Sequence, residues 1–292
     1  MQNVLTLIAN PQQANLTAAA VDEAVAGLKS QGAIVGPVDW LNPGIAADVP
    51  FDGAVDKAGF AGLPFDWALQ PVAGRRKKLL LADMDSTIIT VECIDEIADF
   101  AGFKEEVAGI TEAAMRGELD FVAALEKRVG MLKGLKEETL QTVFDERVKL
   151  MPGARTLIQT MNAAGAMTAL VSGGFTFFTS RVAALTGFHV NRANVLGLAE
   201  GALTGAVIPP IVDSATKLAS LQEFAGQTGI TLAETLAVGD GANDIPMIVA
   251  AGLGVAYHAK PKAQDAADVA INHGDLTALL YLQGFRATDF RD

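Results

Sequence analysis

Hydrophobic and polar positions divide the chain into three regions with different periodicities. Residues 1–72 begin with the apolar stretch "NVLTLIA" and continue with an Ala-rich segment in which Val21, Ala24, Val25 and Leu28 recur at helical spacing. The stretch "GAIVGPVDWL" predicts extended chain, and "LNPGIAADVP" is rich in turn-forming residues. The pattern predicts a small N-terminal α/β domain over residues 1–72, although the stretch from residue 51 up to "WALQPVAG" is hard to assign.

The second region, about residues 93–150, has the spacing of amphipathic helices and no alternating strand pattern. Three apolar faces recur at intervals of three and four residues: Ile94, Ile97, Ala98 and Ala101; Phe121, Leu125, Val129 and Leu132; and Leu140, Val143, Phe144 and Val148. This texture predicts a helical insertion.

The third region alternates strands with helices. The apolar runs "LLLA", "AMTALV", "TLAVG", "LGVAY" and "DVAIN" predict strands, and "NVLGLAEGALTGAVI" predicts a hairpin that turns near Glu200 and Gly201. Strands separated by helices form a parallel sheet that is covered on both faces. The predicted fold class is therefore α/β: a Rossmann-like parallel sheet core over residues 77–292, a helical cap inserted at about 93–150, and the small N-terminal domain.

Unusual polar residues follow three of the predicted strands. Asp83 and Asp85 come directly after "LLLA", Ser172 follows "TALV", and Asp240 follows "TLAVG". Ligands of open α/β sheets bind beyond the carboxyl ends of the strands, so we expect one crevice to collect these side chains. With Asp244 nearby in sequence, the converging carboxylates raise each other's pKa unless a cation neutralises them. Oxygen ligands suit a hard cation, and Mg²⁺ is the usual one beside phosphate.

Two further features fit an anionic ligand. The stretch "SGGF" places a hydroxyl and backbone N–H groups beside a predicted helix N-terminus, which is a natural anion cradle. Lys217 lies in the mostly apolar helix "SATKLASLQEF"; we expect a solvated lysine unless it points into the crevice. A carboxylate that attacks phosphate meets a repulsion of about 4 kcal/mol per charge pair at ~4 Å and an effective dielectric near 20, so cations must accompany it.

The charge and hydrophobicity of the chain argue against nucleic acid and membranes as partners. The chain of 292 residues has 22 Lys and Arg against 34 Asp and Glu, a net charge of −12, which disfavours nucleic acid and anionic membranes. No Lys or Arg precedes Lys29, and no apolar run approaches the ~18 residues of a membrane span, so a cytoplasmic protein is expected. The run "GRRKK" predicts a solvated linker rather than a nucleic-acid patch.

Cysteine and histidine indicate no further chemistry. The single cysteine, Cys93, excludes an internal disulfide and is expected to be a small apolar residue at a helix start. The histidines, together with this cysteine, lack the spacing of zinc ligands, so zinc is not expected: His189, His258 and His273.

At this point a resemblance is apparent. "DMDST", "SGG", a later lysine and "GDGAND" occur in the order found in haloacid dehalogenase-like phosphatases. The stretches "DMDSTIITVE", "ALEKRVGMLKGL", "LVSGGF", "VGDGANDIPMI" and "AYHAKP" extend the resemblance to the members that act on phosphoserine. It covers about residues 77–285, and the motifs are highly specific in combination.

The resemblance implies roles for the crevice. Asp83 is implied to be the nucleophile that forms an aspartyl-phosphate, and Asp85 the general acid and then base. Asp83, the backbone carbonyl of Asp85 and Asp240 are implied to hold Mg²⁺. The phosphoryl group is implied to contact Ser172, Gly173 and Lys217, with support from Gly174, Asn243 and Asp244, the last by orienting Lys217 or a metal-bound water.

The implied cap would select the substrate. Glu92 is implied to meet the ammonium of phosphoserine, and Arg128 its carboxylate. Each has an alternative: Glu92 favouring a helix N-terminus, and Arg128 pairing with Glu126 or another acidic cap residue.

The activity implied is Mg²⁺-dependent hydrolysis of O-phospho-L-serine to L-serine and phosphate, the last step of serine biosynthesis. One alternative passes the phosphoryl group to another alcohol, such as homoserine; another, of a different class, is a phospho-accepting signalling domain, which needs neither Asp85 nor a large cap. A dehalogenase is disfavoured because halide departure needs no proton donor. Residues 1–72 lie outside the resemblance, and serine sensing or homodimerisation are hypotheses for them.

Overall fold

The computed structural model describes residues 1–292. Residues 1–72 form a five-stranded sheet with one helix against it. The elements are β1 (Asn3–Ile8), α1 (Ala18–Ser30), β2 (Ile34–Val35), β3 (Asp39–Asn42), β4 (Ala46–Asp52) and β5 (Asp66–Pro71). All of its pairings are antiparallel, with β1 between β4 and β5. Thr17 caps α1 by accepting a hydrogen bond from the amide of Ala20.

The second sheet has seven strands in the order β12-β11-β10-β6-β7-β8-β9, parallel except for the β8–β9 hairpin. Its strands are β6 (Leu79–Ala82), β7 (Met167–Phe175), β8 (Val190–Ala199), β9 (Ala202–Ile208), β10 (Thr235–Gly239), β11 (Leu253–Tyr257) and β12 (Val269–Ile271). The parallel α/β core is therefore confirmed. The hairpin turns at Glu200 and Gly201, both at positive φ, as predicted.

Helices fill the connections of this second sheet. Between β6 and β7 lie α2 (Cys93–Ala101), α3 (Lys104–Met115), α4 (Phe121–Met131), α5 (Glu138–Arg147) and α6 (Ala154–Ala163). The later helices are α7 (Thr176–Thr186), α8 (Ser214–Thr228), α9 (Ile245–Ala250), α10 (Pro261–Ala266) and α11 (Ala278–Leu282). None of the helices is both long and apolar enough to span a bilayer.

Helices α2–α5 form a cap that is joined to the sheet by two adjacent segments. The amide of Thr90 donates to the carbonyl of Lys149, and the amide of Met151 donates to the carbonyl of Ile88. The two linkers therefore run side by side, and they hold α2–α5 over the carboxyl ends of the parallel strands. Cys93 is buried at the start of α2, as predicted.

The prediction of a solvated linker at "GRRKK" is wrong for Arg75. This side chain is only 9% exposed, and its guanidinium lies 2.7 Å from Asp48 in β4. It also donates to the hydroxyl of Thr6 and to the carbonyl of Tyr281. The bidentate fork of arginine makes burial tolerable because each of the three nitrogens has at least one acceptor, and those acceptors lie far away in sequence.

The two sheets share an apolar core. Ile8, Leu41, Ala46 and Ala68 of the N-terminal sheet belong to the same buried cluster as residues of the parallel sheet and of α11. Polar contacts seal its edge: the carboxylate of Asp66 accepts hydrogen bonds from three successive amides that follow β12, those of Asn272, His273 and Gly274.

Candidate active site

The crevice lies where β6, β7 and β10 end. These strands are neighbours in the sheet, and the amide of Asp83 continues the ladder by donating to the carbonyl of Val238. Asp83, Asp85, Ser172 and Asp240 are all buried at these ends. The structure therefore brings together the polar residues that follow the three predicted strands.

Lys217 completes a chain of charges beneath Asp83. Its ammonium is only 1% exposed and lies 2.8 Å from Asp83 Oδ1 and 2.6 Å from Asp244 Oδ1. Burial by itself would lower the pKa of Lys217, but the two carboxylates outweigh burial and raise it. The lysine thus points into the crevice and stays charged, rather than lying in solvent.

Asp244 orients this lysine. Its Oδ2 accepts hydrogen bonds from the amides of Asp240 and Gly241, while Oδ1 receives Lys217. The carboxylate is packed tightly, because a Cβ at Gly239 would lie 2.4 Å from Asp244 Oδ2. Every oxygen of Asp244 therefore already has a donor, which favours orientation of Lys217.

An acidic cluster here fits a cation. Carboxylate oxygens of Asp83, Asp240 and Asp244 lie within 4.8 Å of one another, and all three residues are buried. Burial and the repulsion of Asp244 raise the pKa of Asp83 to about 7, against the opposing effect of Lys217. Burial, followed by repulsion from Glu92, raises the pKa of Asp240 as well.

One lysine does not satisfy all these groups. Although Lys217 lies beside it, Asp83 Oδ1 has no hydrogen-bond donor in line with it. A buried carboxylate without full pairing is costly unless a further positive charge arrives. The donor set, carboxylate oxygens alone, matches a hard divalent ion.

Asp85 points away from this cluster. Its Oδ1 accepts the amide of Cys93 at 3.3 Å, at the entrance to α2. Burial raises the pKa of Asp85 to about 6, although the hydrogen bond from Cys93 opposes the rise. Two neighbouring carboxyl groups thus have different surroundings: Asp83 faces a lysine, and Asp85 faces the cap.

Residues 172–174 leave the regular ladder of β7. The pairing of β7 with β8 shifts register between Val171 and Phe175, so the intervening residues bulge toward the crevice. Asn194 fixes the bulge by donating to the carbonyl of Gly173 at 2.8 Å. The strand runs on to Phe175, and α7 begins at Thr176, so "SGGF" lies directly before a helix N-terminus, as predicted.

The same bulge needs glycine for space. A Cβ at Gly174 would lie 2.6 Å from Asp85 Oδ2, and one at Gly173 would lie 2.7 Å from the ring of Phe121 in the cap. The hydroxyl oxygen of Ser172 accepts the amide of Gly174 at 2.9 Å. The backbone of residues 173 and 174 therefore lies close both to Asp85 and to the cap.

Two ionisable residues, Glu92 and Arg128, reach the crevice from the cap side. Glu92 precedes α2 but does not cap it; instead its carboxylate accepts the hydroxyl of Ser86 at 2.5 Å. Burial and the nearby Asp85 raise the pKa of Glu92 to about 8. Its carboxyl group still lies beside the N-terminus of α2, so the alternative role of favouring that helix end also fits the structure.

Arg128 is buried without a salt bridge. The residue is 5% exposed, and no carboxylate, including that of Glu126, lies within 4.0 Å of its guanidinium. Its Nε donates to the carbonyl of Ala124, and its Nη1 donates to the hydroxyl of Thr111. A buried cation with an unused part of its fork is a ready site for an anion.

A single cavity lies between the cap and the acidic cluster at the strand ends. We call that cluster, together with Lys217, the floor of the cavity. Eight of the eleven candidate site residues line it: Asp83, Asp85, Glu92, Arg128, Ser172, Gly173, Gly174 and Asn243. Lys217, Asp240 and Asp244 adjoin Asp83 just behind this lining. The side-chain oxygen of Asn243 is buried and unpaired, so it too has capacity for a ligand.

Sequence reasoning missed several lining residues. Thr111, Met115 and Phe121 close the cavity from the cap. Phe121 belongs to a predicted apolar helix face, but periodicity does not say which face covers the crevice. Thr111 and the supporting Asn194 carried no sequence signal.

Comparison with known proteins agrees with this geometry. A family model described as haloacid dehalogenase-like hydrolase matches residues 80–248. A phosphoserine phosphatase of Polaromonas sp. is 50% identical over 210 residues, which cover 70% of this chain and 89% of the relative. A solved phospho-aspartyl intermediate analogue of phosphoserine phosphatase is 41% identical, with a TM-score of 0.68, over 70% of this chain and 98% of that one.

The likeness to a second solved structure includes the N-terminal sheet. A hydrolase of the same family from Salmonella enterica serovar Typhi is 28% identical, with a TM-score of 0.84, over 96% of this chain and 98% of that one. Motifs, sheet topology and family match therefore coincide, and the chain belongs to the haloacid dehalogenase-like hydrolases.

Proposed function

We propose that the protein is a Mg²⁺-dependent phosphatase that hydrolyses O-phospho-L-serine to L-serine and phosphate. The observation that carries the proposal is that two ionisable cap residues, Glu92 and Arg128, share one cavity with Asp83. Arg128 has free donors and no anionic partner, and Glu92 is an enclosed carboxylate. A ligand with a carboxylate, an ammonium and a phosphate complements all three positions. The relatives named phosphoserine phosphatase support this substrate.

The reaction starts with Asp83. One of its carboxylate oxygens attacks phosphorus, a new O–P bond forms, and the bond between phosphorus and the serine oxygen breaks. Asp85 donates its proton to the departing oxygen, a task that suits a carboxyl group whose pKa is raised to about 6. Serine is then released as the neutral alcohol.

The second half returns the enzyme to its starting state. Asp85, now ionised, takes a proton from water as the water oxygen attacks phosphorus, and the bond between Asp83 and phosphorus breaks. Phosphate leaves and Asp83 regains its carboxylate. The start requires Asp83 ionised and Asp85 protonated. In the chain alone the pKa of Asp83, about 7, lies above that of Asp85, about 6, so a further positive charge beside Asp83 would be needed to favour this distribution.

Other groups hold the phosphoryl oxygens. Lys217 supplies a fixed positive charge, while Ser172, Gly173 and Asn243 line the same wall, and Gly174 leaves room for Asp85. The residues that would hold Mg²⁺ are Asp83 and Asp240, through their carboxylates, and Asp85, through its carbonyl. When bound, the ion offsets the repulsion between carboxylate and phosphate.

The test is phosphate release from matched substrates with and without Mg²⁺. O-phospho-L-serine should be hydrolysed far faster than phosphoethanolamine, which lacks the carboxylate, or phospholactate, which lacks the ammonium. Chelation of the metal should abolish turnover. Equal rates on the three substrates would contradict the proposed recognition. Formation of phosphohomoserine on addition of homoserine would show that the enzyme transfers the phosphoryl group to an alcohol and is not a hydrolase.

A further inference from the structure

Arg128 would need to be fixed in place to read a small carboxylate. Arginine has a long side chain with about 2 kcal/mol of rotamer entropy, so an unrestrained guanidinium recognises poorly. Here Nε is held by the carbonyl of Ala124, one turn earlier in α4, at 3.1 Å. That bond fixes only one edge of the guanidinium and leaves its tilt open.

Thr111 supplies the second point of attachment, from a different helix. Its Oγ1 accepts Nη1 of Arg128 at 2.9 Å, while Nη2 makes no hydrogen bond within the chain. Thr111 is 3% exposed, belongs to α3 and lines the cavity. Attachment through Nε and Nη1 therefore fixes the plane of the fork and leaves Nη2 available.

The hydroxyl of Thr111 can accept from Arg128 because its own proton is donated to Asp95. Oγ1 of Thr111 lies 2.6 Å from Asp95 Oδ1 and 3.0 Å from the carbonyl of Val107. A hydroxyl has one proton to donate, and the shorter contact to an ionised acceptor is the stronger one. With its proton directed at Asp95, Thr111 turns its lone pairs toward Arg128.

Through this arrangement, Asp95 compensates the charge of Arg128 while the donors of Arg128 stay free for a ligand. A carboxylate in direct contact with Arg128 would occupy the donors that a ligand needs. The interposed hydroxyl brings the negative charge of Asp95 near Arg128 without an ion pair within 4.0 Å. Three cap helices, α2, α3 and α4, meet at this chain of contacts.

We infer that Thr111 is a positioning residue that, anchored by Asp95, fixes the guanidinium of Arg128 for the carboxylate of the substrate. The inference rests on the proposed function, because it assigns the orientation of the residue that selects phosphoserine. The competing explanation is purely structural, since threonine in a helix often bonds the carbonyl four residues earlier. That explanation predicts loss of stability or of activity on every phosphate ester alike.

The first experiment replaces the hydroxyl while keeping the shape. T111V should raise KM for phosphoserine about ten-fold, the size expected for loss of a hydrogen bond to a charged group, with kcat within about two-fold of wild type. KM for p-nitrophenyl phosphate, which has no carboxylate, should stay within about two-fold. T111S should restore KM for phosphoserine, and D95N should raise it in the same direction as T111V.

A matched control is T142V in α5. Thr142 makes the same bond within its helix, to the carbonyl of Glu138 at 3.3 Å, but does not line the cavity. T142V should leave both KM values unchanged. Equal losses by T111V on both substrates, or failure of T111S to restore KM, would overturn the positioning role.

A double-mutant cycle provides the decisive measurement. In the R128A background, T111V should add less than about two-fold to KM for phosphoserine, because its effect passes through Arg128. Additive effects would overturn the inference while leaving the proposed function intact. If wild-type protein does not hydrolyse phosphoserine, both the proposed function and the positioning role of Thr111 are overturned. If it does hydrolyse phosphoserine but T111V has an unchanged KM, only the positioning role is overturned.

Discussion

The floor of the cavity and its cap hold their charges in opposite ways. On the floor, Lys217 forms ion pairs with both Asp83 and Asp244, at 2.8 and 2.6 Å. In the cap, Glu92 and Arg128 form no ion pair with each other or with any other residue. The groups proposed to react are thus held by internal partners, while the guanidinium of Arg128, proposed to select the ligand, keeps free donors.

This contrast has a physical reason. A nucleophile must keep one ionisation state and one orientation through the reaction, and neighbouring charges fix both. A recognition group gains affinity from pairs that it forms only with the ligand, so a pre-existing partner would have to be displaced. The following substitutions should separate the two halves.

The largest effect should come from Asp83→Asn. An amide is a poor nucleophile, so turnover of every phosphate ester should fall by about 10⁴-fold or more. Phosphate release and trapping of the radiolabelled phosphoenzyme measure the two steps, and both signals should vanish. Asp145→Asn on the exposed face of α5 serves as the control. Retained turnover in the Asp83 variant would rule out Asp83 as the nucleophile.

Lys217→Met should be the next largest. Loss of the fixed cation should lower kcat by about 10³-fold on any phosphate ester. It also leaves Asp83 and Asp244 buried without their partner, which should cost about 3–5 kcal/mol of unfolding free energy. Urea titration checks the second part, and an unchanged midpoint would mean that the floor is not held by this lysine.

Arg128→Ala should affect one substrate only. Loss of the fork should lower kcat/KM for phosphoserine by about 100-fold, whereas p-nitrophenyl phosphate should change by less than about three-fold. Steady-state kinetics on the two substrates give the ratio. A parallel loss on both would mean that Arg128 serves the phosphoryl chemistry or the fold instead.

Phe121→Ala should have the smallest effect, and it sharpens the comparison. The ring of Phe121 closes the cavity against Gly173, so its loss should admit water and lower kcat about five-fold on both substrates. Phe121→Leu, which retains bulk, should recover most of the rate. A loss confined to phosphoserine would assign Phe121 to recognition instead of closure.

Local patterns allowed much of the fold to be predicted. Strands such as Leu79–Ala82 and the helix at Cys93–Ala101 are defined by short-range periodicity, and the carboxylates at strand ends break that periodicity visibly. Because parallel strands end at one edge of a sheet, the convergence of Asp83, Ser172 and Asp240 followed from topology.

What could not be predicted depends on partners that are distant in sequence. Arg75 is buried only because Asp48 and Thr6 meet it, across 27 and 69 positions. Strand β4, "AADVPFD", contains two aspartates and a proline, which is why its sequence does not look like a strand. Thr111 is an ordinary polar helix residue until α2 and α4 are packed against it.

The buried hydrogen bonds from Arg75 to Asp48 and Thr6 tie the first 72 residues to the rest of the chain. These residues are not an appendage, because their removal would strip Asp48 and Thr6 from a desolvated guanidinium and uncover the apolar underside of α11. A chain without these residues would lose activity because the interface between the two sheets is disrupted, so the loss would say nothing about regulation. Single replacements on the outer face of the N-terminal sheet are the cleaner way to search for serine sensing or self-association.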